Sequence, residues 1–183
     1  TDILCDILEP SGAMLYHRGD NLEVIVDCPE DLIVETDRIR LKQIVLNLAN
    51  NSRKFVQKGF IRLSAQVIKG KNVILAIEDS GPGIPPDKRG QLFVKYQESL
   101  DLLNQGTGIG LCLCKNLAEL MGGIIYLDES YDSGVEGCPG ARFVIDLGTA
   151  PTLLPDASSG LTNSRDEDNL NFSARSTQTR TVS

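Results

Sequence analysis

Residues 37–55 read DRIRLKQIVLNLANNSRKF, and this stretch decides the fold. Asp37 carries a short acceptor side chain of the kind favoured at helix N-caps, so a long helix is predicted from there to about Val56. The apolar residues of the stretch recur at helical spacing and form one stripe, which we expect to lie against a sheet. The stripe consists of Leu41, Ile44, Val45, Leu48 and Phe55.

A second face of this helix is polar. Asn47, Asn51 and Lys54 lie at i, i+4 and i+7, offset from the apolar stripe. Amide oxygens can ligate Mg²⁺ and a lysine ammonium pairs with phosphate oxygen, so this face suits an anion with a hydrated divalent cation. The alternative is a solvated polar face without a ligand.

The segments around this helix alternate between strand and helix patterns. Strands are predicted at residues 22–27, 32–34, 60–69, 73–78, 124–128 and 141–147, and further helices at 3–16, 87–93 and 110–121. This pattern predicts an α+β two-layer sandwich, with a mixed, mostly antiparallel sheet and helices packed on one face.

Composition and charge narrow the class of protein. Of the 183 residues 41% are hydrophobic, as in folded domains, and the net charge of -7 leaves no footprint for nucleic acid or for direct contact with an anionic membrane. No apolar run approaches the roughly 20 residues that span a bilayer, although the parent protein could be membrane-anchored. Five cysteines without a C-x-x-C pair and a single histidine argue against zinc and favour a cytoplasmic compartment.

The chain is predicted to have three parts. Residues 1–19 are read as a connector helix, residues 20–150 as the folded domain and residues 151–183 as a disordered tail. The last part is rich in Ser and Thr and repeats at neither a strand nor a helix period. It therefore buries too little apolar surface to offset its ordering entropy.

A second chemically suggestive segment is EDSGPGIPP, residues 78–86, directly after a predicted strand. Gly81 and Gly83 let the backbone approach a ligand closely. The carboxylate of Asp79 at the strand end can accept a hydrogen bond from an exocyclic amine such as that of adenine. The alternative is an ordinary turn, for which Asp-Ser-Gly-Pro-Gly is also a suitable sequence.

A third segment is QGTGIGLCLCKNLAELMGG, residues 105–123, in which Gly106, Gly108 and Gly110 lead into a helix. Unpaired N–H groups and the dipole at a helix N-terminus favour phosphate, although glycine-rich helix starts without ligands are common. The loop before it includes Tyr96 and has few structural cues. A loop of about twenty residues in a compact domain is often an active-site lid.

Taken together and in this order, these segments resemble the nucleotide-binding boxes of histidine kinases, which belong with gyrase, MutL and the ninety-kilodalton heat-shock chaperones to one ATPase superfamily. The stretch DRIRLKQIVLNLANNSRKF looks like the asparagine box, EDSGPGIP the first glycine box, LFVKYQ the phenylalanine box and GTGIGLCLCKNLAELMGG the second glycine box. The resemblance covers about residues 20–148. It implies a Bergerat-type ATP-binding fold with ATP and Mg²⁺ as cofactors.

The resemblance also implies roles for the residues that match the boxes. Asn51 would ligate Mg²⁺, Asp79 would accept a hydrogen bond from the adenine amine, and Asn47 and Lys54 would act as catalytic residues that face the phosphates. The remaining nucleotide contacts would be Gly81, Gly83 and Ile84 at the adenine, Phe93 and Tyr96 in the lid, and Gly106, Thr107, Gly108, Gly110 and Leu111 at the lid hinge and the phosphates.

Asn47 helps to separate a kinase from a hydrolase. The hydrolytic relatives resemble one another in placing a glutamate here that activates water, and an amide cannot take a proton. The only histidine, His17, lacks the acidic neighbour of the family's acceptor histidine. We therefore expect an acceptor on a dimerisation hairpin outside these residues.

The expected activity is transfer of the γ-phosphoryl group of Mg-ATP to that histidine in a two-component phosphorelay, with a receiver domain downstream. Two alternatives stay open. One is an ATP-binding regulatory module without transfer activity, and the other is a hydrolytic ATPase of the same superfamily.

Overall fold

The computed structural model describes residues 2–16, 21–68, 72–94, 110–151 and 179–182. The helices in this part of the chain are α1 (Cys5–Ala13), α2 (Arg38–Phe55), α3 (Pro86–Arg89) and α4 (Gly110–Leu120). The strands are β1 (Asp2–Ile3), β2 (Leu22–Asp27), β3 (Ile33–Val34), β4 (Gly59–Ile68), β5 (Asn72–Asp79), β6 (Ile124–Leu127), β7 (Ala141–Asp146) and β8 (Thr179–Val182). Each helix and strand predicted between residues 22 and 147 is present.

Six of these strands form one sheet in the order β6-β7-β5-β4-β2-β8. The β2–β4 pair is parallel and the other neighbouring pairs are antiparallel. Strands β1 and β3 form a separate antiparallel pair. Helices α1, α2 and α4 contact the six-stranded sheet, and α2 packs along α4. The predicted α+β sandwich with a mixed, mostly antiparallel sheet is confirmed.

Helix α2 begins and packs as its sequence predicts, except at its last residue. The Asp37 side chain accepts a hydrogen bond from the Arg40 backbone N–H at 3.0 Å, which confirms the N-cap. The first four residues of the predicted apolar stripe are fully buried. Phe55 is 55% exposed, so its assignment to the stripe is wrong. The helix ends there and the backbone becomes extended, and as a result Val56 reaches the core instead.

The core lies between the sheet and the helices. Alternate residues of the central strands point towards α2, and burial of these aliphatic side chains is the main favourable term in folding. The fully buried ones include Ile61, Leu63, Leu75, Ile77 and Ile145. From α4, Cys114 and Ala118 close the same core. The packing therefore holds the ends of β5 and β7 against α2 and α4.

Helix α1 belongs to this core, which corrects the predicted boundary at residues 19–20. Leu4, Ile7 and Leu8 are buried in the same apolar cluster as the stripe of α2. The helix also ends earlier than the predicted residue 16, at Ala13. Since the first turns of the chain supply core side chains, they form part of the folded domain. Whether α1 also connects to an upstream element stays a prediction.

Two other expectations need correction. The helix predicted at residues 87–93 is limited to Pro86–Arg89 and ends at Gly90. Within the segment 151–183, which is predicted to lack regular structure, Thr179–Val182 forms an edge strand antiparallel to β2, and residues 152–178 lie outside the described part of the chain. An exposed strand edge offers unpaired backbone groups to any segment that can reach it, whatever the side chains.

None of the described helices is long and apolar enough to cross a membrane.

Candidate functional site

Asp79 ends the central strand β5 and is only 5% exposed. Its Oδ2 accepts a hydrogen bond from Ser52 Oγ at 2.8 Å, and its Oδ1 accepts from the backbone N–H of Gly81 at 2.9 Å and of Ala141 at 3.2 Å. A carboxylate offers about four acceptor positions, so these three donors leave room for one more. Because the strand register and α2 supply the donors, the carboxyl group is held in one orientation.

The turn after Asp79 requires glycine at two positions. A Cβ on Gly81 would lie 3.0 Å from Asp79 Oδ1, and Gly83 has a φ of +74°. A Cβ on Gly83 would also lie 2.9 Å from Pro139 Cγ and 3.0 Å from the carbonyl oxygen of Gly140. The turn therefore runs close against the loop between β6 and β7, and this contact shapes one wall of the site.

Glu78 and Asp79 are adjacent in sequence, but their side chains contact different parts of the structure. Successive strand residues point to opposite faces of a sheet. Glu78 forms ion pairs with Arg62 at 3.2 Å and with Arg142 at 3.1 Å, which are its cross-strand neighbours on β4 and β7. Asp79 instead faces α2 through Ser52. Glu78 thus stabilises the sheet, and Asp79 is the carboxylate available to the site.

Tyr131, in the loop between β6 and β7, lies near these carboxylates. Burial, with the charges of Glu78 and Asp79 adding to it, raises the pKa of Tyr131 to about 12. Its hydroxyl is protonated at neutral pH, like that of any tyrosine, and can donate a hydrogen bond. Sequence inspection offered no reason to select this residue.

Asn47 contacts the first residue of α4. Its Nδ2 donates to the carbonyl oxygen of Gly110 at 2.7 Å and lies 3.0 Å from Cys114 Sγ. A carbonyl oxygen can only accept, so this contact also fixes which side of the amide carries the nitrogen. The nitrogen of this amide therefore lies against two residues of α4. Burial raises the pKa of the Cys114 thiol, although the hydrogen bond with Asn47 acts in the opposite direction.

The other described residues of the predicted site lie on α2, in the turn after β5 and on α4, and none of them is fully buried. Asn51 is half-buried and Lys54 is exposed, both on the polar face of α2. Ile84 and Leu111 are half-buried and pack against the edge of the core. The carbonyl oxygen of Ile84 accepts a hydrogen bond from Arg89 Nε at 3.0 Å, which ties α3 to the turn after Asp79.

The predicted lid is only partly described. Phe93 packs edge-to-face on Phe143, with ring centroids 6.3 Å apart, so the start of this segment is anchored on β7. Tyr96, Gly106, Thr107 and Gly108 lie outside the described residues. Their roles stay predictions.

Several residues of the site were missed by sequence inspection. Ser52 could have been noticed, because it lies at i+4 from Leu48 on the buried side of α2, where a polar side chain needs a partner. Pro139, Gly140 and Ala141 had no local signal. They reach Asp79 and Gly83 only because β7 pairs with β5.

The Asp79 carboxylate ends a central strand of the sheet and faces the long helix α2 through Ser52. A profile of the family described as "Histidine kinase-, DNA gyrase B-, and HSP90-like ATPase" matches residues 36–150. The chain belongs to this family. The resemblance inferred from the four boxes is confirmed.

Curated relatives are sensor proteins that are much longer than this chain. The hybrid signal transduction protein dokA of Dictyostelium discoideum is 32% identical in an alignment of 162 residues that covers 83% of this chain and 10% of dokA. The aerobic respiration control sensor protein ArcB of Escherichia coli K12 is 34% identical in an alignment of 140 residues that covers 73% of this chain and 18% of ArcB. The chain therefore spans a fifth or less of these relatives.

Solved structures agree on the fold. The mycobacterial sensor histidine kinase MprB matches with a TM-score of 0.69 and 26% identity, over 81% of this chain and 97% of that one. Full-length ShkA matches with a TM-score of 0.62 and 29% identity, over 83% of this chain and 30% of that one. The MprB match covers nearly all of that chain, so the two chains share this fold over most of their length.

Proposed function

We propose that this chain binds Mg-ATP and donates the γ-phosphoryl group to a histidine on a dimerisation hairpin outside these residues, as one step of a two-component phosphorelay. The observation that carries the proposal is the buried carboxylate of Asp79, fixed by three donors with one acceptor position left. The solved ShkA structure contains AMPPNP, a nucleotide of the same class.

The adenine would bind at the end of β5. The free acceptor position of Asp79 suits the exocyclic amine of adenine, whereas a carbonyl oxygen at that place, as in guanine, would meet a second acceptor. Gly81 and Gly83 keep side chains away from the base. Ile84, half-buried beside the turn, supplies apolar surface for the ring.

The phosphates would lie towards α2 and α4. Asn51 fits Mg²⁺, because its amide oxygen is a hard ligand and its half-buried place on the polar face leaves it accessible. Bound Mg²⁺ would neutralise phosphate charge. Lys54 is exposed one turn further on α2 and would pair with a phosphate oxygen. The contacts expected around the phosphates are completed by Tyr96, Gly106, Thr107, Gly108, Gly110 and Leu111.

Transfer is favoured over hydrolysis by the chemistry at position 47. An amide cannot activate water, and the Asn47 amide is already engaged with Gly110 and Cys114. Phosphoryl transfer needs positioning and charge stabilisation above all, which this site would supply once a partner brings the imidazole. A receiver domain would accept the phosphoryl group afterwards. The five free cysteines suit a cytoplasmic compartment.

The test is a transfer assay with the chain, a dimerisation hairpin from its parent protein and ATP labelled on the γ-phosphate. We expect label on a histidine of the hairpin, and none with the Asp79→Asn variant of this chain. ATP binding without any transfer would indicate a regulatory module instead. Release of labelled phosphate by the chain without the hairpin would indicate a hydrolase.

A further inference from the structure

The Asn47 amide contacts two residues of α4, Gly110 and Cys114. A Cβ on Gly110 would lie 2.9 Å from Asn47 Nδ2 and 3.0 Å from Oδ1, so a larger residue there would force the amide to move. One turn along α4, the Cys114 Sγ lies 3.0 Å from the same nitrogen and 3.9 Å from the carbonyl oxygen of Ile44. The amide thus sits between two residues of α4 that are one helical turn apart.

The hydrogen-bonding capacity of Asn47 limits what else it can do. An asparagine side chain has two N–H donors on one nitrogen, and that nitrogen contacts both Gly110 and Cys114 of α4. Donation to a phosphate oxygen would compete with these contacts. The remaining Oδ1 is an acceptor and would be repelled by phosphate oxygens.

We infer that Asn47 is a positioning residue, which clamps the N-terminal turn of α4 to α2 and thereby fixes the backbone N–H groups that phosphate would meet. The inference rests on the proposed function, because that turn meets phosphate only if the chain binds ATP. It replaces a direct role of Asn47 at the phosphates by an indirect one through Gly110. The amide and the glycine then act as one unit.

The clamp itself can be tested without nucleotide, by hydrogen exchange on the whole chain. Asn47→Ala should accelerate exchange of the Cys114 amide and its neighbours in α4 by roughly tenfold, because a hydrogen bond that holds this turn against α2 is lost. Amides of β5 should exchange as before. The matched control is Asn50→Ala, an exposed asparagine on the same helix. Unchanged exchange in α4 would overturn the clamp.

The effect of the clamp on ATP binding can be tested by a double-mutant cycle of Asn47 and Gly110. Gly110→Ala should weaken ATP binding by roughly tenfold in the otherwise unchanged chain, since its Cβ displaces the amide, and much less in the Asn47→Ala background, where there is room. Binding of adenosine, which has no phosphates, should be the same in all four proteins. Additive losses, or equal losses for adenosine, would overturn the inference.

The two experiments separate this inference from the proposed function. If the unchanged chain binds no ATP, the proposed function fails, and the role of the clamp at the phosphates fails with it. If it binds ATP normally and Asn47→Ala alters neither exchange nor affinity, only the clamp fails.

Discussion

The Ser52 hydroxyl on α2 donates a 2.8 Å hydrogen bond to Asp79 Oδ2 at the end of β5. Both residues are buried, with exposures of 3% and 5%. This bond joins the asparagine box and the first glycine box by a direct side-chain contact. The orientation of the carboxylate that would bind adenine therefore depends on a residue of another box.

Ser52→Ala should lower the free energy of unfolding by about 1.5–3 kcal/mol, the usual cost of removing a hydrogen bond to a charged group. Urea denaturation of the chain without nucleotide measures this. Asn50→Ala, at an exposed position of the same helix, should change the stability by less than about 0.5 kcal/mol. Equal midpoints for Ser52→Ala and the unchanged chain would show that the bond contributes nothing to stability.

Asp79→Asn should weaken ATP binding by about a hundredfold, because the new N–H₂ group faces the donor amine of adenine. The amide oxygen can still accept from Gly81 and Ala141, so the variant should fold. Titration calorimetry gives the affinity, and Asp87→Asn on the exposed face of α3 is the control. An unchanged affinity would contradict the assignment of the base site.

Asn51→Ala should remove the dependence of ATP binding on Mg²⁺, because the amide oxygen is the proposed protein ligand. The measurement compares ATP affinity with magnesium and with a chelator. Asn50→Ala, which alters the neighbouring amide, should keep the dependence. If Asn51→Ala also keeps it, the metal ligand lies elsewhere.

Gly83→Ala should destabilise the chain by about 1–3 kcal/mol, since alanine would have to adopt a positive φ. Its Cβ would also press on Pro139 and Gly140. Gly90→Ala is the matched control, because a Cβ there meets nothing within 4 Å. Thermal unfolding of the two variants should therefore differ clearly, and similar midpoints would refute the strain at Gly83.

Asp128 should make stability depend on pH in the acid range. Hydrogen bonds from Ser130 and the nearby charge of Arg142 hold its pKa below the ordinary 3.8, although burial opposes them. A carboxyl whose pKa is lower in the folded state stabilises the fold above the unfolded pKa, and this stabilisation disappears as the pH falls through the folded value.

Ser130→Ala should therefore raise the pKa of Asp128 towards its ordinary value, which NMR titration of the side chain can follow. The stability difference between this variant and the unchanged chain should be full above about pH 4 and vanish in stronger acid. A difference that stays constant from pH 2 to about pH 6 would show that Ser130 acts by some other means than this carboxylate.

Local sequence patterns predicted most of the helices and strands of the fold. The N-cap at Asp37, the stripe of α2 and the turn glycines depend on neighbours within a few residues, so they can be read from the chain directly. The predicted stripe is wrong only at Phe55, which is exposed. The helix ends at this residue, and the direction of the chain after it decides which side chain is buried. Likewise, the ion pairs of Glu78 could not be foreseen, because they depend on strand order.

What the sequence determined by itself is the set of chemical groups and the boxes in which they occur: the amides of α2, the carboxylate at the end of β5 and the glycines around it. Only the tertiary structure decided how they combine. It placed Ser52 and Ala141 on Asp79 and brought the Asn47 amide onto the Gly110 carbonyl oxygen. These partners lie 27 to 63 residues apart, and no local spacing specifies a hydrogen bond over such a separation. Sheet register and helix packing bring them together.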